Sequence, residues 1–195
     1  MHKRYLVPAA FLATALMVEG AIALSRVGQS SVTVFAQTPA GRIEGWSSEI
    51  ALEEASDRLT FKVPLPPIQT GIALRDQHLR EMLEVDQFPS AMLQVSRSEL
   101  TFPAPGKPSE GIARGELTLH GLSHPVEVRY RSTLGKRGVA KVDGSIQLDM
   151  RDFEIKYPSY FGLAVAPEVE IKVELSVEDA PGISRSVLTA APRNR

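Results

Sequence analysis

Apolar and polar positions alternate along most of this chain, the period of strands with one buried face. Ser31–Gln37 alternates around Val32 and Val34. A second run starts at Gly41-Arg42-Ile43 and changes phase near Gly45, after which Trp46, Ser48, Ile50 and Leu52 fall on one side. A glycine at a phase change predicts a bulge or a sharp bend. Leu59, Phe61, Val63 and Leu65 share a face opposite Thr60 and Lys62, and Pro64, Pro66 and Pro67 confine that strand to an edge or a frayed end. Ala91, Leu93 and Val95 follow. Gly115–Val126 reads as two strands round a tight turn, continued in phase by Val128 and Tyr130. Val142, Gly144, Ile146 and Leu148 make another run. The cleanest is the last, Val169, Ile171, Val173, Leu175 and Val177 against Glu168, Glu170, Lys172 and Glu174. These about eight segments predict an all-β fold, a single antiparallel β-barrel whose interior holds side chains or one slender ligand.

One stretch breaks the period. Within Thr70–Gln94, Leu79, Met82 and Leu83 stand at i, i+3 and i+4, which predicts a short helix over about Arg75 to Glu84. Asp76 suits the exposed amides at its start, Arg80 sits one turn on as an ion-pair partner, and Phe88-Pro89 is the expected stop. A charged helix between two strands is a plug across an opening in the sheet or a plain crossover that covers core. The residues alone allow both.

The chain's ends are of another kind. Lys3 and Arg4, the apolar run Tyr5–Val18 and Ala21-Ile22-Ala23 form the three parts of a secretory signal, so residues 1–23 are expected to be removed and the product periplasmic or secreted. The apolar run is too short to span a membrane. Residues 24–179 form the expected barrel domain and 180–195 a loose C-terminal tail.

Charge and chemistry narrow the function. Taking Lys3, Arg4 and Glu19 from 22 basic and 23 acidic residues leaves 20 against 22. A balanced chain without a basic cluster offers nucleic acid no electrostatic footprint. With no cysteine there is no disulfide and no thiol nucleophile, and no Gly-x-Ser-x-Gly elbow is present. His120 and His124 flank a turn, but two imidazoles without a third ligand make a poor metal site; donation to a turn carbonyl suits His120 better. His78 beside Asp76 is the one pair for an enzyme reading, and capping and packing is the favoured role for it. The inward set is Phe61, Val63, Leu93, Leu117, Leu119, Val128, Ile146, Leu148, Ile171 and Val173. A filled core predicts that set as well as a hollow barrel does.

Three motifs carry a resemblance. Thr70-Gly71 followed by Arg75-Asp76-x-His78-Leu79 and Phe88-Pro89, the hairpin Gly115-x-Leu117-Thr118-x-His120-Gly121-x-Ser123-x-Pro125-Val126, and Arg151-Asp152-Phe153-x-Ile155 before a valine-rich last strand together resemble the YceI-like family of lipocalin-like, polyisoprenoid-binding periplasmic proteins. Ser123 stands where the family has threonine, and Met82-Leu83-Glu84 replaces its aspartate-aromatic pair. The resemblance implies a lipocalin-like barrel that is not an enzyme and needs no cofactor. It also implies a long isoprenoid or similar lipid held by the ten inward residues, with transient membrane contact as a partner expectation. A solid barrel serving as a scaffold in the cell envelope is the alternative.

Overall fold

The computed structural model describes residues 24–156, 159–160 and 163–179; the expected signal segment and tail lie outside them. Strands β1 (Leu24–Thr38), β2 (Gly41–Ser47), β3 (Ala51–Ala55) and β4 (Arg58–Pro64) precede helix α1 (Ala73–Met82). After it come β5 (Ser90–Ser96), β6 (Ser109–Leu119), β7 (Leu122–Leu134) and β8 (Ala140–Asp149). The two-residue strands β9 (Ser159–Tyr160) and β10 (Leu163–Ala164) and the final strand β11 (Glu168–Asp179) follow. β9 and β10 pair with each other, and the other nine form one antiparallel sheet in the order β2-β1-β11-β8-β7-β6-β5-β4-β3. Residues from all nine line a common interior, so the sheet is curled into a barrel. The inner faces alternate as the period predicts: Val32, Leu59, Val95, Leu117, Ile146, Leu148, Val169 and Leu175 are buried, with polar or charged neighbours between them.

The sheet has nine strands where the sequence suggests about eight, because the run 41–55 divides. Its first half pairs with β1 and its second half with β4, so one stretch of chain bridges the two edges of the curled sheet. The phase change falls at Ser48–Glu49 and not at Gly45. Gly45 and Ser47 point inward and Trp46 is 47% exposed, so Trp46, Ser48, Ile50 and Leu52 do not share a face. The reason lies at Gly45 itself: a Cβ there would stand 3.3 Å from Ile68, so the position is a close approach within a straight strand. Nor does closure remove both edges by a full ladder. β1 meets β3 and the link before it through side chains: the Ser30 hydroxyl donates to the Ser48 carbonyl on the link (2.8 Å), and the Leu24 amide donates to the Glu54 carboxylate on β3 (2.5 Å). β1 also begins before Ser31. Its register breaks between Val27 and Ser31, where Gly28 has φ +67°, and that bulge scrambles the alternation.

Strand ends define two barrel ends. Thr38, Gly41, Pro64, Ser90, Leu119, Leu122, Asp149 and Glu168 share one; Leu24, Ala55, Arg58, Ser96, Ser109, Leu134 and Ala140 share the other. The segment between β4 and α1 covers the free edge of β2, with Trp46 and Gln69 exchanging two backbone hydrogen bonds of 2.8 and 3.0 Å. α1 then packs into the first end through Leu79, Met82 and Leu83, joining a core of Leu65, Ile68, Met150, Phe153 and Ile155. The helix therefore acts as a plug. It stops at Leu83, well before Phe88-Pro89, because Glu84 enters the left-handed region at φ +45°.

Candidate functional site

The plugged barrel is not full. Inside it lies a cavity of about 620 Å³ with an almost wholly apolar wall. All ten inward residues, Phe61, Val63, Leu93, Leu117, Leu119, Val128, Ile146, Leu148, Ile171 and Val173, stand on that one wall. The space exists because small residues also face in. Ala36, Ala91, Ala113, Ala140, Gly45 and Gly144 occupy inner positions where larger side chains would meet across the axis. Gly144 is the clearest: a Cβ built there meets no atom within 4 Å. In a barrel packed to normal interior density such a gap would be filled.

Two hydroxyls on the wall are already engaged by the protein. Thr70 donates its hydroxyl and its amide to one Asp76 oxygen, each at 2.6 Å, and the Ser132 hydroxyl bonds that of Ser109 at 2.7 Å. A chain inside would find little to hydrogen-bond and much to exclude from water. Charge sits only at the rim. At the helix end Ile72 and Leu74, 50% and 62% exposed, join Arg75 and His78 where the wall meets the surface. At the other end Leu100, Phe102 and Pro103 form the rim; Arg97 lies over the Phe102 ring at 4.5 Å and Tyr130 Oη accepts from the Thr101 amide at 2.8 Å.

The motif residues hold the plug in place. Asp76 does not cap its own helix: the N-cap is Ile72, without a side-chain bond, and the carboxylate reaches back to Thr70. The Thr70 hydroxyl and amide, helped by Arg80 and Arg75, hold the Asp76 carboxyl below the ordinary carboxylate range. That contact ties the first turn of the helix to the segment before it. His120 and His124 both turn to Phe153. His120 Nδ1 bonds the Phe153 carbonyl at 3.0 Å and its ring lies 4.7 Å from that of Phe88, while the His124 ring meets the Phe153 ring edge-on at 5.1 Å. His120 holds φ +51° and Gly121 φ +77°, so the tight hairpin turn presses the imidazole against these partners.

The sequence reading missed the rim. Ile72 and Leu74 follow Gly71 at spacing two, and Leu100 and Phe102 precede the proline-rich loop at the same spacing. Each pair was too short to register as a strand face.

The YceI-like domain matches residues 23–177. The chain belongs to the YceI-like family. Among solved structures this family member is similar to a polyisoprenoid-binding domain from Saccharophagus degradans implicated in plant cell wall breakdown, at 13% identity and TM-score 0.68 over 81% of this chain and 99% of that one. It is also similar to BcnA of Burkholderia cenocepacia, at 17% identity and TM-score 0.60 over 75% of this chain and 95% of that one. Both likenesses show the fold. No curated protein sequence matches the chain.

Proposed function

We propose that this YceI-like protein is exported and carries a long apolar chain, of polyisoprenoid type, inside its barrel without transforming it. The observation that carries the reading is the aliphatic cavity of about 620 Å³. At ~30 Å³ per water-sized group it has room for roughly 20 chain carbons, on the order of four isoprene units. Each buried CH₂ contributes about 0.8 kcal/mol, so a chain of that length binds through hydrocarbon burial alone and needs no polar motif. The family and the Saccharophagus relative support the isoprenoid class. The almost wholly apolar wall supports carriage over catalysis. Residues 1–23, read as a secretory signal, support a periplasmic or secreted location, where a lipid carrier meets its cargo at membranes.

Purification from the native host followed by organic-solvent extraction and mass spectrometry tests the reading. A prenyl lipid near one per protein is the expected result. An empty protein that also takes up no added prenyl alcohol would overturn it and leave the scaffold role.

A further inference from the structure

Among the described residues, β1 and β3 face each other without a backbone ladder, and Glu54 lies on that seam. Glu54 is on the inward parity of β3 and its side chain is only 6% exposed, with one oxygen taken by the Arg97 guanidinium. The other oxygen faces the backbone nitrogen of Leu24 at 2.5 Å. A carboxylate this buried is costly unless it is well paired. Separately, the pattern Ala21-Ile22-Ala23 places processing at the Ala23–Leu24 bond. Two independent observations thus meet on one nitrogen.

We propose that Glu54 is the receptor for the α-ammonium group that processing creates on Leu24, and that the resulting ion pair locks the β1–β3 seam of the mature protein. Hydrolysis by a peptidase of the export route adds one water across the bond. The water oxygen goes to the Ala23 carbonyl carbon, which leaves as a carboxylate on the removed segment, and its protons end on Leu24 as –NH₃⁺. The neutral amide donor at Glu54 becomes a cation, so a hydrogen bond already assisted by the carboxylate gains a direct ion-pair attraction in a site screened from water. Arg97 is the other charged partner of Glu54. Of the nearby charges, Arg26 donates to the Gly28 carbonyl (2.9 Å), the Asp57 carboxylate accepts from the Ser96 hydroxyl (2.7 Å), Arg58 donates to Gln94 (3.1 Å), Glu53 is exposed, and half-buried Glu178 stands on β11 opposite Ser25. A free α-amine titrates near ~8, and pairing raises that value in the folded state. The contribution is therefore present below about pH 8 and lost as pH rises through the raised value.

The test compares the chain beginning at Leu24 with the same chain carrying a Gly-Ser extension, by urea unfolding at pH 7 and pH 10. The expected result is a higher midpoint for the Leu24 chain at pH 7, with the advantage lost at pH 10 and absent in Glu54→Gln. An equal difference at both pH values, or in both backgrounds, would mean that the extension merely crowds the seam and would overturn the proposal. Should Glu54→Gln not fold, the Nα-acetylated Leu24 chain replaces it, because acetylation keeps the N–H and removes the charge. An unchanged midpoint on acetylation overturns the proposal, as does an exported protein whose intact mass retains residues before Leu24.

Discussion

Replacing Gly144 by phenylalanine sets a hollow barrel against a filled one by the sign of the stability change. Gly144 lies on β8 between inward-facing Val142 and Ile146, opposite Tyr130 and Val173 on the neighbouring strands. Its Cβ would enter open space, and its φ is not positive, so a side chain is sterically admissible. A strand glycine costs roughly 0.5–1 kcal/mol relative to alanine, and the new ring buries apolar surface at about 25 cal/mol per Å². The variant should therefore be as stable as the parent or more so. A filled interior would instead lose about 1–3 kcal/mol to overpacking. The ring adds roughly seven non-hydrogen atoms to a cavity with room for roughly 20. Excluding that many methylenes at ~0.8 kcal/mol each sets a ceiling near 5–6 kcal/mol of lost binding energy, or about four decades in affinity. Relaxation of the ligand will recover part of it, so a loss of at least a hundredfold is the expected figure. Urea unfolding and displacement of a fluorescent polyene report the two quantities on one preparation. A destabilised variant that binds the probe like the parent would refute the reasoning at its root.

The same structure makes three further predictions. Phe153, 1% exposed beneath the plug and touched by both histidines, should cost about 3–5 kcal/mol on truncation to alanine in urea unfolding; a loss under ~1 kcal/mol would contradict its place in the core. Gly121→Ala places a Cβ 2.7 Å from the Phe88 ring at φ +77° and should cost at least about 1 kcal/mol, read as a lowered Tm. Because Thr70 depresses the Asp76 carboxyl below its ordinary value of 3.8, its contribution is present above that pH and lost as pH falls through the lowered value. Asp76→Asn should therefore flatten the acid limb of a circular-dichroism titration between about pH 5 and pH 2, and a limb as steep as the parent's would show that the contact is idle.

What could be read from the sequence follows from what alternation encodes. The period reports which side of a strand is apolar, so the inner faces of β4 to β8 and β11 were legible residue by residue. The helix was legible too, because Leu79, Met82 and Leu83 recur at helical spacing, although the residues alone did not separate a plug from a plain crossover, and Glu84 ends it before Phe88-Pro89 does. Alternation fails where the chain changes partners. Ser48–Glu49 carries no glycine or proline to mark the handover from β1 to β4, and Trp46, an apolar residue on the outside, shifts the apparent phase by one. At Gly28 a bulge hides the first turn of pairing in the same way.

The cavity itself lies a level beyond the period. Whether an inward valine touches its neighbour across the axis depends on how many strands the sheet takes to close, and that is set by the handover at Ser48 and by the seam at Ser30 and Glu54. Nine strands set the wall of the cavity that Val63, Val128 and Val173 line, and Ala36, Ala113 and Gly144 leave it room. A filled barrel would place bulk at those small positions. The informative residues for an apolar carrier are thus the missing side chains on its inner face, and an alanine or glycine in phase with valines reads in sequence only as a weaker strand. That is why ten aliphatic and aromatic positions could be placed on the inner face by parity while the space between them could not.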